Sequence, residues 1–448
     1  MNGLRTSHVF PRHCKAVLPI AVGGEGCYLI DSSGKRYLDG SGGAAVSCLG
    51  HSDRSVQEAV KDQMDKLAFA HTGFFTSEAA EELADLLVSK APSGIDRVYF
   101  VSGGSEAVEA AIKLARQYFV EIGEPQRHRL IARRQSYHGN TLGALSASGN
   151  MRRRELFEPL LVECSQIAPC YAYREQNDDE TLEDYGLRAA NELQSEIERA
   201  GPENIMAFIA EPVVGATIGA VPPTPGYYRR IREICDRYGI LLILDEVMCG
   251  MGRTGTLFAC KQDGVAPDIV TIAKGLGAGY QPIGAMLCAG KIYDAIAHGS
   301  GFFQHGHTYI GHQAACAGGA AVLRAFEERN LVSRAQEQGQ KLEAALYERF
   351  GQHPNVGDLR RRGLFRGIEL VADRGTKRSF DPAHKVYAKI KSVALEHGLI
   401  CYPMGGALEE VRGDHVMLAP PFIIEDAQIE ELVDKLAVAI DTAIADAA

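Results

Sequence analysis

Between about residues 97 and 290 the chain alternates short apolar runs with longer stretches of helical periodicity. The runs are Arg97–Ser102, Leu130–Ala132, Ala207–Glu211, Ile240–Asp245, Asp268–Ala273 and Ile283–Cys288. A near-continuous apolar run marks a strand covered on both faces, as in a mostly parallel sheet. Ser105–Val120 and Tyr227–Tyr238 repeat their apolar residues at helical spacing and fit connecting helices. The pattern predicts an α/β fold in which ligands gather at the carboxyl ends of the strands.

The flanks follow another rhythm. Tyr28–Asp31, a Ser33-Gly34 turn and Arg36–Asp39 read as a β-meander. Past about residue 313 the pattern turns helical over Gln313–Glu327 and Leu331–Phe350, then alternates until a final helix from Asp426. The expected organisation is a large domain over residues 60–312 and a smaller α+β domain built from residues 1–59 and 313–448. The acidic stretch Tyr173–Asp184 reads as a surface excursion.

Composition narrows the partners. The 448 residues are 46% hydrophobic and 23% charged, the balance of a globular protein able to fold without staples. A net charge of −10 and the lack of a basic stripe argue against nucleic acid and anionic membrane as partners. The run Arg152-Arg153-Arg154 reads as the solvated start of a helix. Eleven cysteines without paired spacing fit a reducing compartment, not a disulfide framework or a zinc site. The N-terminus carries no apolar signal core and no stretch approaches a membrane span, so a cytoplasmic location is expected.

Three elements carry chemistry. Leu241–Asp245 is an apolar strand ending in a carboxylate, followed by Glu246 and Val247. A buried aspartate needs a cation. A protonated pyridine nitrogen is one; a metal, a Walker-B-type role or a helix cap are others. Ile269–Ala273 ends in Lys274, where desolvation would lower the amine pKa and favour imine formation. A lysine that merely extends its amine to solvent is the plainer alternative. The third element, Val101-Ser102-Gly103-Gly104-Ser105-Glu106, is a strand, a small-residue turn and a helix start. Backbone N–H groups there make a ready anion cradle. The glycine spacing fits neither a P-loop nor a dinucleotide fingerprint.

In this order, with Gly34–Asp39, Leu49-Gly50-His51, Tyr137-His138-Gly139, Glu211-Pro212-Val213, Gly250–Gly255, His307-Thr308 and Ala419-Pro420-Pro421, the elements resemble the class III, or omega, aminotransferases. The resemblance covers nearly the whole chain. It implies the pyridoxal 5′-phosphate (PLP) fold type I, with PLP as cofactor. The reaction would be ping-pong transfer from an amine or ω-amino acid to a 2-oxo acid, pyruvate or 2-oxoglutarate.

Lys274 would hold the cofactor as an imine and move the proton, and Asp245 would pair with the pyridinium. Val247 and Tyr137 would flank the ring, with His138 beside it. Gly104 and Ser105 would bind the phosphate, completed by Thr308 of a neighbouring subunit. That arrangement implies a homodimer with shared active sites, or a tetramer of such dimers. Glu211 would brace an arginine or the cofactor hydroxyl, or form a structural ion pair.

The substrate side departs from the family. Met417 stands where members acting on 4-aminobutyrate or acetylornithine place a carboxylate-binding arginine, three residues before the paired prolines. Glu410 fills the position used by pyruvate-dependent members, which leaves Arg412 as the carboxylate grip or as a surface loop arginine. Gly43-Ala44-Ala45 on one wall, with Phe74 and Phe75 on another, would leave room for an extended amine. The same scaffold also serves racemases, decarboxylases and aminomutases, and, more remotely, PLP-binding regulators.

Overall fold

The computed structural model describes residues 8–408 and 411–447. Three antiparallel strands open the fold: β1 (Ala21–Glu25), β2 (Tyr28–Asp31) and β3 (Arg36–Asp39). Asp31 closes the β2–β3 turn by accepting from the Ser33 and Lys35 N–H groups, while Gly34 takes the left-handed conformation at φ 84°.

Seven strands then form the central sheet. They are β4 (Ile95–Val101), β5 (Arg129–Arg133), β6 (Cys164–Ile167), β7 (Ile205–Ala210), β8 (Leu241–Asp245), β9 (Ile269–Ile272) and β10 (Gly284–Ala289). Their order is β4-β10-β9-β8-β7-β5-β6, and only β10 runs against its neighbours. Every residue of β7, β8 and β9 is buried, as their unbroken apolar runs require.

Helices cover both faces. Helix Tyr227–Tyr238 is bounded by Gly226 and Gly239, both left-handed at φ 82° and 64°, so its ends lie where the glycines put them. Helix Gly104–Glu121 starts directly after β4 and has no side-chain cap.

The rest of the chain builds β11 (Val356–Arg362), β12 (Phe365–Leu370), β13 (Leu399–Ile400), β14 (Tyr402–Leu408) and β15 (Arg412–Leu418). Strands β11-β12-β15-β14 form an antiparallel sheet. β13 pairs in parallel with β3, Leu399 opposite Leu38, and so ties the late chain to the early meander.

Several expectations are corrected. β6 was not expected: Cys-Ser-Gln-Ile is a partly exposed edge strand without an apolar run. The boundary at 59/60 falls inside one continuous helix, Arg54–Lys66, whereas that at 312/313 coincides with the start of helix Gln313–Glu328. The 173–184 stretch is only partly a surface excursion, because Arg174 turns inward to pair with buried Glu369. The three arginines are not uniformly solvated either. Arg154 is 6% exposed and donates to the Ser146 and Ser148 carbonyls.

Candidate active site

The register of the central sheet assembles the site. Asp245 lies opposite Thr271 across the β8–β9 pair, and Lys274 follows three residues beyond Thr271. Both functional groups therefore emerge at the carboxyl edge of adjacent parallel strands.

Asp245 is 4% exposed and fully engaged. Its Oδ1 accepts from the Val247 N–H at 3.0 Å and the Thr271 hydroxyl at 3.3 Å, and its Oδ2 lies 2.7 Å from His138 Nδ1. A carboxylate can only accept, so this contact puts the imidazole proton on Nδ1. His138 Nε2 is buried and has no hydrogen-bond partner among the described residues.

Lys274 follows the extended Ala273 and adopts φ 46°, a left-handed conformation costly for a side-chain-bearing residue. Its carbonyl accepts from the Gly277 and Ala278 N–H groups, which hold that turn. Burial pushes the amine pKa down. Asp245, Glu211 and Cys249 oppose the shift, while the positive charge of Arg153 adds to it.

Opposite them lies the start of helix Gly104–Glu121, its first N–H groups uncapped by any side chain. A Cβ on Gly104 would come within 2.7 Å of Val247 Cγ1, so glycine is what lets the helix start approach that wall. The Ser105 hydroxyl accepts from the Asn140 N–H at 3.0 Å, joining the cradle to the Tyr137–Asn140 loop. Glu211 holds the same loop: its carboxylate accepts from the N–H groups of Tyr137 at 3.1 Å and Gly215 at 2.9 Å. Glu211 forms no ion pair among the described residues, and burial raises its pKa.

These groups line one cavity of about 580 Å³: Gly104, Ser105, Tyr137, His138, Glu211, Asp245, Val247 and Lys274. The sequence reading missed two of its walls, Met248 and Tyr402, and two cations, Arg12 and Arg153. The arginine run could have flagged Arg153, but identical neighbours hide which one turns inward.

Five predicted residues lie elsewhere. Ala45 packs into an apolar cluster with Val213 and Met248, while Ala44 and Val46 line the cavity instead. Arg412 is the exposed first residue of β15 and is not part of the lining. Phe74 and Phe75 are 82% and 65% exposed. Thr308 is exposed and lines a second cavity of about 670 Å³ with Thr72, Tyr99 and Phe303.

The donor set suits a phosphorylated pyridine aldehyde: uncapped N–H groups for the phosphate, a buried carboxylate for a ring cation, and a desolvated amine for the aldehyde. No group of metal-ligating side chains occurs among the described residues.

Comparison with known proteins agrees. Residues 9–440 match the class-III aminotransferase family. An uncharacterised aminotransferase of Schizosaccharomyces pombe is 46% identical over 95% of this chain and 93% of its own length. An (S)-enantioselective omega-transaminase from Thermomicrobium roseum superposes with a TM-score of 0.91 at 37% identity, covering 98% of this chain and 96% of the other. An omega transaminase from Pseudomonas jessenii, solved in complex with PMP, gives a TM-score of 0.91 at 32% identity over 98% and 97%. The chain belongs to the class III aminotransferases, PLP-dependent enzymes of fold type I that exchange amino groups between small amines and 2-oxo acids by a ping-pong mechanism.

Proposed function

We propose that Lys274 and Asp245 carry the transamination in this chain, with the amino donor an extended amine or ω-amino acid and the acceptor pyruvate or 2-oxoglutarate. The observation behind this reading is that a desolvated amine, a histidine-paired carboxylate and an uncapped helix start share one cavity.

When bound, PLP supplies an electron sink for negative charge at the substrate carbon that bears nitrogen. Lys274 Nζ would hold the aldehyde end of the cofactor and, once released, would serve as the acid and base beside the substrate Cα. Its lowered pKa favours the neutral form that this work requires. Asp245 keeps the ring nitrogen protonated, and His138 fixes the carboxylate orientation through Nδ1. Gly104 and Ser105 N–H groups hold the phosphate, and Val247 and Tyr137 bound the ring. Glu211 positions the Tyr137 loop through its backbone.

Thr308 completes the phosphate site of a second copy in a homodimer. Exposed Phe74, Phe75, Phe302 and Tyr309, near the Thr308 cavity, support a covered aromatic surface there. The small Ala44 and Val46 wall supports the extended donor. A kinetic panel pairing short α-amino acids with diamines and ω-amino acids tests this donor class. Preference for the longer donors is expected, and exclusive use of short α-amino acids contradicts it.

A further inference from the structure

The family-based positions for a carboxylate grip do not deliver a cation to this cavity. Met417 is fully buried in an apolar cluster and Arg412 is exposed outside the lining. Yet any 2-oxo acid brings a carboxylate that must be paired when it leaves water.

The arginine run supplies the missing charge by sending its three side chains three ways. Arg152 points outward to the Val411 carbonyl at 3.3 Å. Arg154 is buried and pins the short helix Met151–Arg154 to the Ser146 and Ser148 carbonyls. Arg153, held by its N–H on the Asn150 cap at 3.3 Å, turns into the cavity. Its guanidinium carbon stands 4.4 Å from the centre of the Tyr137 ring, and its side chain makes no hydrogen bond or ion pair among the described residues. Such a group is planar, oriented by an aromatic face, and keeps all five donors available. It lines the same cavity as Lys274, and its charge adds to the depression of the lysine pKa.

We propose that Arg153 is the carboxylate-binding residue of this enzyme, a two-point grip beside Tyr137 that makes the 2-oxo acid its acceptor. This rests on the site reading above and adds the specificity determinant that Met417 and Arg412 do not provide. Arg12, exposed at the edge of the same cavity, is the competing cation.

The test is calorimetric binding of pentanoate, an unreactive carboxylate, and of pentanamide, its neutral analogue, to the PLP-loaded enzyme. The wild type should prefer pentanoate, and Arg153→Ala should weaken pentanoate by on the order of 30-fold without changing pentanamide. Arg153→Lys should recover part of the loss, since a point charge replaces a fork. Arg12→Ala and Arg412→Ala should bind pentanoate as the wild type does. Equal binding of the two ligands by the wild type, an unchanged pentanoate affinity in Arg153→Ala, or transfer of the loss to Arg12→Ala would overturn the proposal. Spectral bleaching of the wild-type cofactor by an amine donor alone checks the underlying site reading separately. That signal needs no carboxylate contact and stays intact if only Arg153 is misassigned.

Discussion

Asp245 spends both carboxylate oxygens on three donors, and each is local: the Val247 N–H, the Thr271 hydroxyl across the strand pair, and His138. The side chain is fixed before any ligand arrives, which is what electrostatic preorganisation requires. Asp245→Asn keeps the shape and removes the charge. It is expected to lower kcat by about 100-fold or more while the protein still takes up PLP, as steady-state kinetics and absorbance would show.

Its neighbour Glu246 belongs to the scaffold. It accepts from the Ala259 and Cys260 N–H groups at 2.6 and 2.8 Å, and burial raises its pKa from 4.5 to about 7. With the folded pKa above the unfolded one, the native state holds the extra proton between those values. Its contribution to stability is therefore complete below about pH 4.5 and lost as pH rises to about 7. The Tm difference between Glu246→Gln and wild type should shift in the variant's favour across that window. A pH-independent difference would place the titration elsewhere.

At the scale of elements, the sequence was informative where burial was complete and silent where orientation decided. The apolar runs of β7, β8 and β9 revealed a doubly covered sheet, and helical periodicity placed the helix at Tyr227–Tyr238. Edge strand β6 carried no such pattern because three of its four residues are only partly buried. The alternative roles for Asp245 and Lys274 stayed open because one strand end says nothing about its neighbour. The β8–β9 register brings both to one cavity, which supports the proposed pairing of roles. Ala45 against Ala44, and Arg153 against Arg152 and Arg154, differ only in the direction each side chain leaves a short turn. Arg154→Ala tests the turn that aims Arg153. Removing its contacts leaves the Ser146 carbonyl without its donor, while the Ser148 carbonyl keeps Gln166 Nε2, and should cost about 1–3 kcal/mol in chemical denaturation.

Across the whole molecule, the resemblance carried what local patterns could not. Thr308 lies outside the cavity that it is proposed to serve, lining a second one among exposed aromatics. The proposed pairing of two copies would reconcile its position with that role. Tyr309→Asp, at a residue 61% exposed, should convert a dimer into monomers in analytical ultracentrifugation and weaken PLP retention with it. A wild type that sediments as a monomer with full activity would remove the second copy from the site.

All of these roles depend on a covalent link between PLP and one amine, that of Lys274. Borohydride reduction of the PLP-loaded enzyme followed by peptide mass spectrometry measures it directly. The phosphopyridoxyl adduct should fall on the peptide containing Lys274 and disappear, with turnover, in Lys274→Ala. An adduct on another lysine, or none in protein that transaminates normally, would contradict the account.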